Sequence, residues 1–562
     1  LGLLLSVVYL YFHQYSFISK TQPQAISRFL SKFSILSVLG IAAVTCFIFY
    51  AYWEKSQKSQ LEKMIRMALA AVFLVLAAVL LKTGYLLSQV GITAMLYLSI
   101  LFILNFKISR LSMIVVSVLT IFEFGYNAYL SQVTFGYDDV HKFADATVSV
   151  KRVTDNIQEN ADQKFYRIAT DFAYSRTVPS LVSYPGLSTF SSSLERSTMD
   201  HFAFMGDLGV NAATQYSNGT PLTDALYGVR YFMSAKDFDP KDIEANPDKM
   251  YFYRFTDRFD LHRYFTDKVY EDKRYVVYKN PNSFPLAYGT NSLVRNIQFG
   301  ANNAFANQNI ILNSMEGHQK ANNDTVEYFK PLAFSSIETE NVIEEKVNKE
   351  TGEAIYKRAD SSKDAIIRYK VTPRTNYTYY FFTPVSLIQN QDYSVLLNNK
   401  WLLNAKIFTQ RQIWQLTDQT ENQETVIEFR FRTDHIDMSN AGVYRADVDQ
   451  IQQVLENRKK QGLQVTKFSN THIVGDVSIT DDSNYMMTSI PYSDGWKVKV
   501  DGKFVKTEKA WNAFLSFPIS KGNHKVEFVF RQKGVILGAL LSIVSVAYLV
   551  IQMRRSRSNE GQ

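Results

Sequence analysis

Long apolar runs limit what this chain can fold into more than any other feature of its sequence. A helix needs about 20 apolar residues to cross a bilayer. Six runs meet this length, approach it, or supply part of it: 1–12, 34–53, 67–87, 89–106, 111–130 and 534–553. The residues between 131 and 533 are polar by comparison. The sequence therefore predicts a membrane protein with a large domain in water.

Lysine and arginine residues beside these runs orient the predicted spans, because cytoplasmic loops carry an excess of both. Three arginines lie in the tail at 554–562, and further basic residues lie in the connectors 54–66 and 107–110. All three groups predict the same topology. We expect a multi-pass protein of the cell membrane, with residues 131–533 extracellular and the C-terminus cytoplasmic.

The chain opens at Leu1 inside an apolar run, without an initiator methionine or a basic segment before it. A signal peptide or a complete membrane protein does not begin in this way. We therefore expect an N-terminal truncation that leaves about five spans in residues 1–130, the first of them partial. Cys46 is the single cysteine, which excludes an intrachain disulfide and a cysteine-based metal site.

Three residues of the predicted first outer loop are candidates for contact with a lipid phosphate: His13, Lys20 and Arg28. Basic residues among aromatic ones at headgroup level suit an anionic lipid or a polyprenyl phosphate. The alternative is that they only extend their charges from the membrane edge into water.

The polar stretch divides by pattern into two regions. Helical and strand patterns alternate over 131–333, with helices at 145–160, 191–208 and 222–226, which indicates an α/β region. From 334 to 533 short alternating strands dominate, and this is typical of a β-sandwich. A helix at 445–460 interrupts them. The predicted fold is mixed: an α-helical transmembrane bundle, an extracellular α/β and β-sandwich domain, and a closing transmembrane helix at 534–553.

Motifs of soluble enzymes are absent from the sequence. It contains no phosphate-binding glycine loop, no dinucleotide fingerprint and no serine-nucleophile motif, and its eight histidines never occur at metal-ligand spacing. No metal site and no cofactor is evident. The net charge of +8 is explained by residues beside the spans, so nucleic acid is not an expected partner.

A loop and the helix predicted after it hold most of the candidate ligand contacts, namely Tyr184, Ser191, Ser192, Glu195 and Arg196. A tyrosine can stack on a sugar, and a helix N-terminus with an arginine can hold a phosphate. The alternative is that this segment is an ordinary connection, since serines cap helices and Tyr-Pro-Gly forms turns.

Two further candidates lie in the next helix and strand. Asp224 and Arg230 are polar residues in an otherwise apolar block at 224–234. The block as a whole is expected to pack in the core. Near the end, Trp496 precedes an Asp-Gly pair at 501–502 that predicts a tight hairpin. An exposed tryptophan can bind glycans, but one in such a strand is more often part of the core.

Four sequence blocks in this order resemble the YfhO family of bacterial membrane proteins. They are Tyr-Pro-Gly at 184–186 with the serines at 191–193, Asp-Ala-Leu-Tyr-Gly-Val-Arg-Tyr at 224–231, Asn-Pro-Asn-Ser-Phe-Pro-Leu-Ala-Tyr at 280–288, and Pro-Tyr-Ser-Asp-Gly-Trp-Lys-Val-Lys-Val-Asp-Gly at 491–502. Nearly the whole chain is covered. Each block alone is weak, and their agreement in order makes the match specific.

This resemblance implies a GT-C-type glycosyltransferase that moves a sugar from an undecaprenyl-phosphate carrier to a cell-surface glycopolymer such as lipoteichoic acid. In such enzymes a carboxylate on the first outer loop acts in transfer. That residue is expected upstream of Leu1, so no catalytic residue is assigned within this sequence, and a divalent cation is an option for the full-length enzyme only.

Two alternatives stand beside the transferase. The first is a non-catalytic, membrane-anchored factor that binds glycans or assists their assembly. The second is a transporter, for which the spans hold few ionisable residues, Lys82 and Glu123. The expected partners are membrane lipid, a polyprenyl-phosphate sugar donor and a glycopolymer acceptor.

Overall fold

The computed structural model describes most of the chain from Arg110 onward. The described residues are 110–134, 140–210, 212–216, 219–236, 253–254, 258–265, 267–300, 303–348, 352–374, 377–383, 393–404, 412–417, 423–480 and 483–559. The predicted spans before residue 110 lie outside these ranges, as do His13, Lys20 and Arg28.

The chain divides into two compact units, Leu1–Asp138 and Asp139–Gln562. In the first unit the described part is the helix Arg110–Thr134, which contains the predicted run at 111–130. A shorter apolar stretch, Met113–Phe122, lies within that helix.

The second unit ends in a long apolar helix, Val535–Asn559. Its first 19 residues, Val535–Met553, have a mean hydropathy of 2.3, and none of them is buried. Within the described part of the chain, this is the helix that is long and apolar enough to cross a membrane. It coincides with the predicted run at 534–553.

Helices of the second unit follow from local sequence signals. Val150, Val153 and Ile157 recur at helical spacing and are buried on one side of the helix Val140–Glu159. Thr220 caps its helix by accepting a hydrogen bond from the Thr223 N–H. The helices before the C-terminal one are Val140–Glu159, Val178–Val182, Arg196–Phe204, Pro221–Leu226, Leu261–Tyr264, Ala304–Glu316 and Val448–Lys460, with 3₁₀ turns at Ser292–Asn296 and Lys320–Asn322.

Strands dominate the second unit, and those described form eight sheets. In order of pairing these are Arg167–Thr170, Val229–Ala235, Tyr275–Lys279 and Asp267–Glu271; Ala287–Thr290, Tyr485–Pro491, Phe514–Pro518 and Glu508–Ala510; Phe329–Leu332, Gly442–Asp447, Tyr377–Phe382 and Ile413–Thr417; Ser336–Glu340, Ala365–Val371, Thr425–Phe431, Tyr393–Leu397 and Lys400–Asn404; Val342–Asn348, Glu353–Arg358 and His435–Asp437; Phe172–Ala173 and Tyr253–Arg254; Gln464–Phe468, His472–Ile479, Gly522–Phe530, Trp496–Val500 and Lys503–Val505; and Thr189–Phe190, Ala213–Gln215 and Leu208–Val210. The predicted β-rich domain is thus present.

Strand pairing joins residues on both sides of the boundary predicted at 334. Ala287 pairs with Thr488 in one sheet, and Phe329 pairs with Ala446 in another. One continuous core accompanies these pairings and contains Tyr227, Phe305 and Tyr380. The α/β pattern is seen where Arg167–Thr170 runs parallel to Val229–Ala235.

Two predicted helices are shorter than expected. The helix predicted at 445–460 begins at Val448, because Gly442–Asp447 is a strand and the Asp447 side chain caps the helix by accepting a hydrogen bond from the Gln450 N–H at 3.2 Å. The helix predicted at 191–208 covers Arg196–Phe204, since the residues on either side belong to a small sheet. The predicted tight hairpin at Asp501 and Gly502 is present, and both residues have positive φ, 51° and 79°.

Candidate functional site

A cleft of about 820 Å³ opens between three segments of the second unit. The first segment is the end of helix Val140–Glu159 with the loop after it, the second is the loop around Tyr184, and the third is the turn after strand Gln464–Phe468. Residues from all three line the cleft. Those used below are Asp162, Lys164, Tyr166, Tyr184, Phe468 and Asn470.

Aromatic rings form much of the lining. Tyr166 packs edge-on against Tyr231 at 5.3 Å between ring centroids. Phe468 is 41% exposed and contacts Phe165, whose centroid lies 6.0 Å away. Tyr184 is 9% exposed, and burial raises its pKa. Aromatic faces beside hydroxyl and amide groups can stack on a sugar ring and bind its hydroxyls.

A cluster of charges borders the cleft at Asp162. The Arg230 guanidinium donates hydrogen bonds to both carboxylate oxygens of Asp162, and the Lys279 ammonium lies 3.0 Å from Oδ2. Partial burial would raise the pKa of Asp162, but hydrogen bonds from Arg230 and Lys279 outweigh it and lower that pKa to about 2. Asp162 is therefore a charged anchor for two cations and too weak a base to remove a proton from a substrate hydroxyl.

Positive charge exceeds negative charge at this border. Lys459 is close enough to Arg230 and Asp162 to interact with both electrostatically; burial and the Arg230 charge lower its pKa, while Asp162 acts in the opposite direction. Lys164 lines the cleft itself and donates a hydrogen bond to the Thr466 carbonyl. Arg230, Lys279, Lys459 and Lys164 outnumber the two carboxylates that act on this group, Asp162 and Glu456. This excess makes the border of the cleft suitable for an anionic group, such as a phosphate.

The structure brings only some of the candidate residues to this cleft. Tyr184 lines it, and Arg230 reaches it through Asp162. The loop from Ser191 onward is elsewhere: Ser191 Oγ lies 2.9 Å from Ser193 Oγ, and Ser192 and Glu195 are exposed.

Arg196 is the first residue of its helix and is exposed to solvent. Its side chain is 88% exposed and lies 3.7 Å from Asp200, while Glu195, at the N-cap, makes no side-chain cap bond. A pair this exposed contributes little to stability. Ser191, Ser192, Glu195 and Arg196 are not among the residues that line the cleft.

Asp224 is part of a buried ionic cluster. Arg258 Nη2 donates to Asp224 Oδ2 at 2.8 Å, and Arg258 Nε donates to Asp260 Oδ1 at 2.8 Å. The side chains of Asp224, Arg258 and Asp260 are 1%, 2% and 0% exposed. The Tyr216 hydroxyl donates to Asp224 at 2.6 Å. Asp224 therefore holds the fold together and is not accessible to a ligand.

Two aromatic rings and a glycine lie directly beside the Arg258 guanidinium. Its guanidinium lies over the rings of Phe232 and Phe265, at 5.2 and 5.6 Å from their centroids. A Cβ on Gly219 would be 1.9 Å from Arg258 Nη1, so a larger residue there would displace the guanidinium from its partners. Burial raises the pKa of Asp224 although Arg258 opposes the shift. The sequence shows no sign of this pairing, because Asp224 and Arg258 are separated by 34 residues.

His201 is a second buried ionisable residue that the sequence did not single out. It is 1% exposed and lies among the rings of Tyr227, Phe299, Trp511 and Phe514, the last with its centroid 4.7 Å away. Neither ring nitrogen has a hydrogen-bond partner among the described residues. Burial lowers the pKa of His201 to about 3, so the imidazole is neutral at physiological pH.

A β-rich body followed by an apolar helix of membrane-spanning length places the chain in the class of membrane-associated proteins. The chain belongs to the YfhO family: the family described as bacterial membrane protein YfhO matches residues 7–542. The resemblance drawn from the sequence blocks is thus confirmed for the family.

A relative in Bacillus subtilis (strain 168) is described as uncharacterized protein YfhO. It is 26% identical over 121 residues, which cover 22% of this chain and 14% of the relative. The matched stretch is thus a small part of that protein's length.

Solved structures resemble parts of the chain only weakly. An anti-sigma factor domain-containing protein from Clostridium clariflavum is 11% identical with a TM-score of 0.11, over 35% of this chain and 89% of that one. A β-glucuronidase from Ruminococcus gnavus is 8% identical with a TM-score of 0.14, over 37% and 46% of the two chains. Scores this low carry no information about function.

Proposed function

We propose that this protein is a membrane glycosyltransferase of the GT-C type. It would move a sugar from an undecaprenyl-phosphate carrier to a cell-surface glycopolymer such as lipoteichoic acid. The predicted transmembrane bundle would hold the donor, the catalytic carboxylate would lie in the segment expected before Leu1, and the second unit, facing outward, would hold the acceptor. Membership of a bacterial membrane protein family supports the location.

The observation that carries the acceptor role is the lining of the cleft. Tyr166 and Phe468 offer aromatic faces, the buried Tyr184 forms part of the wall, and Asn470 offers an amide. The cations beside Asp162 suit the phosphates of a polymer such as lipoteichoic acid. A volume of about 820 Å³ is within the usual range for small-ligand sites and has room for a few sugar or glycerol-phosphate units.

A second function, non-catalytic glycan binding or assembly, is favoured by the state of Asp162. This carboxylate at the cleft is held by two cations with a pKa near 2, so it is not a base, and no other acidic side chain is among the described residues that line the cleft. In both functions the cleft holds the polymer. The two functions differ in whether the protein adds a sugar to the polymer or only binds it.

Deleting the gene in the source bacterium separates these two functions. Lipoteichoic acid and wall polymers would be purified and their sugar substituents determined by NMR and mass spectrometry. We expect one substituent to disappear and to return when the full gene is restored. Unchanged polymers from a strain that lacks the protein would rule out the transferase and leave the binding role.

The acceptor role predicts that Phe468→Ala weakens binding of lipoteichoic acid to the full chain by about three- to tenfold, because one exposed stacking face is lost. Binding would be measured by microscale thermophoresis on the chain in nanodiscs. Phe190→Ala is the matched control, since Phe190 is 48% exposed and does not line the cleft. Equal affinities for the two variants would remove the cleft from the acceptor site.

A further inference from the structure

The sheet that precedes the C-terminal helix in the chain has one buried face and one exposed face. It contains Gln464–Phe468, His472–Ile479, Gly522–Phe530, Trp496–Val500 and Lys503–Val505, and is called the basic sheet below. Val498, Val526 and Phe528 are fully buried on its inner face. Because side chains alternate along a strand, Lys497 and Lys525 are on the outer face, and both are exposed.

Basic residues are strongly enriched in this part of the chain. Residues 495–534 contain nine lysines and arginines and three aspartates and glutamates. The acidic residues are already engaged: Glu527 contacts Lys499 and His472, Asp501 contacts His524, and Glu508 contacts Arg295. On the outer face Lys497, Lys499 and Lys525 outnumber the acidic residues Glu527 and Asp476, of which Asp476 lies opposite Lys525, so this face has an excess of positive charge.

An exposed aromatic residue lies at the edge of the same sheet. Phe504 is 69% exposed, and the exposed lysines Lys503 and Lys506 lie on either side of it. The Lys499 ammonium is 5.2 Å from the Phe504 ring centroid. A large apolar side chain among lysines is typical of surfaces that lie at the boundary between headgroups and acyl chains.

The chain also keeps this sheet close to any membrane that the last helix crosses. Strand Gly522–Phe530 ends five residues before Val535, a distance of at most about 18 Å along the chain. Trp496 pairs with Phe530 at that end of the sheet and packs on the inner face, against the core that contains Val498. The short link to the last helix and the exposed Phe504 favour a lipid surface as the binding partner over a soluble polyanion.

We propose that the outer face of the basic sheet docks on an anionic lipid surface. Lys497 and Lys525 bind the phosphate groups of the lipids, and Phe504, which lies opposite Lys499 on the same face, enters the headgroup boundary. This docking does not depend on the transferase reaction or on the cleft. It holds the second unit against the bilayer at a second point besides the helix Val535–Asn559.

A spin label tests the docking in the full chain. Because Cys46 is the single cysteine, Cys46→Ser gives a background in which Lys506→Cys is labelled alone. The chain is placed in vesicles of phosphatidylcholine with 30% phosphatidylglycerol or without it. Collision of the label with oxygen and with a water-soluble nickel chelate reports its depth. Lys363→Cys, an exposed lysine in a turn of another part of the unit, is the matched control.

We expect the label at 506 to be protected from nickel in anionic vesicles only, and the label at 363 to stay in water throughout. Changing Lys497 and Lys525 to Gln should lower the docked-to-undocked ratio about 30-fold, at roughly fivefold for each lysine. Circular dichroism checks that this variant is folded. Equal nickel accessibility at 506 and 363 in anionic vesicles overturns the proposal, and so does protection by soluble polyphosphate but not by lipid.

Discussion

Replacing Arg258 with methionine is expected to destabilise the second unit by about 3–5 kcal/mol, because two buried carboxylates lose the cation between them. Asp224 and Asp260 are 1% and 0% exposed and both accept hydrogen bonds from Arg258. Without the guanidinium at least one of them must take up a proton or draw in water. Either change disturbs the packing around Phe232 and Phe265.

Urea unfolding of the full chain in detergent, followed by tryptophan fluorescence, measures this loss. Arg196→Met is the matched control, since its side chain is 88% exposed and its loss should change stability by less than about 0.5 kcal/mol. Adding Asp224→Asn and Asp260→Asn to Arg258→Met should recover part of the loss, because no charge is then left without a partner. A loss no larger than that of the control would show that the cluster contributes nothing.

Local sequence signals predicted many elements closely. Ala365–Val371 alternates buried and half-buried residues along its length, and this alternation is visible in the sequence. Asp501 and Gly502 predict their turn because glycine and aspartate tolerate positive φ. The helix Ala304–Glu316 was missed, although Asn303 caps it and Gly317 ends it with φ at 86°. These two residues are the signal that would have found it.

Pairings between distant residues were beyond prediction. Thr488 lies opposite Ala287, and no local pattern chooses that partner among so many strands of similar composition. The same applies to Asp224 and Arg258. The sequence marks Asp224 as a polar residue in an apolar block, but only the fold shows that its partner is another buried side chain and that a ligand has no access.

In the candidate site, too, local sequence identified single residues, and only the fold shows which of them lie together. Tyr184 and Arg230 were chosen from different motifs, and the fold connects them through Asp162. Ser191 and Arg196 follow Tyr184 closely in sequence, yet the turn at Ser183, with φ at 64°, and the small sheet after it direct them away. Closeness in sequence was therefore a poor guide to which residues share the cleft.

The cleft and the proposed lipid-binding face are on one sheet. Phe468 ends the strand at one edge of the basic sheet, and Phe504 lies in the strand at the other edge. Four strand spacings of about 4.8 Å separate these edges by roughly 19 Å. A unit docked through Phe504 would thus hold a polymer in the cleft close to the bilayer, where a lipid-linked donor lies. The two surfaces share no residues, so their variants can be tested independently.

Acid is expected to destabilise the second unit through His201. The imidazole is buried without a hydrogen-bond partner among the described residues, and its pKa falls from 6.5 to about 3. The unfolded chain therefore takes up a proton at a higher pH than the folded chain does. Stability is complete above about pH 6.5 and declines as the pH falls towards 3. At pH 5 the loss from this residue is about 2 kcal/mol.

Comparing urea unfolding at pH 7.5 and pH 5 in wild type and in His201→Phe isolates this effect, since phenylalanine fills a similar volume and does not titrate. The variant should lose about 2 kcal/mol less than wild type between these two pH values. His201→Leu provides a second variant in case phenylalanine is too large for the space beside Phe514. His435→Gln is the control, because His435 is 62% exposed and should leave the pH dependence nearly unchanged. If wild type and both His201 variants lose the same stability at pH 5, the imidazole takes up its proton in the folded state without cost, and the aromatic surroundings of His201 must admit water.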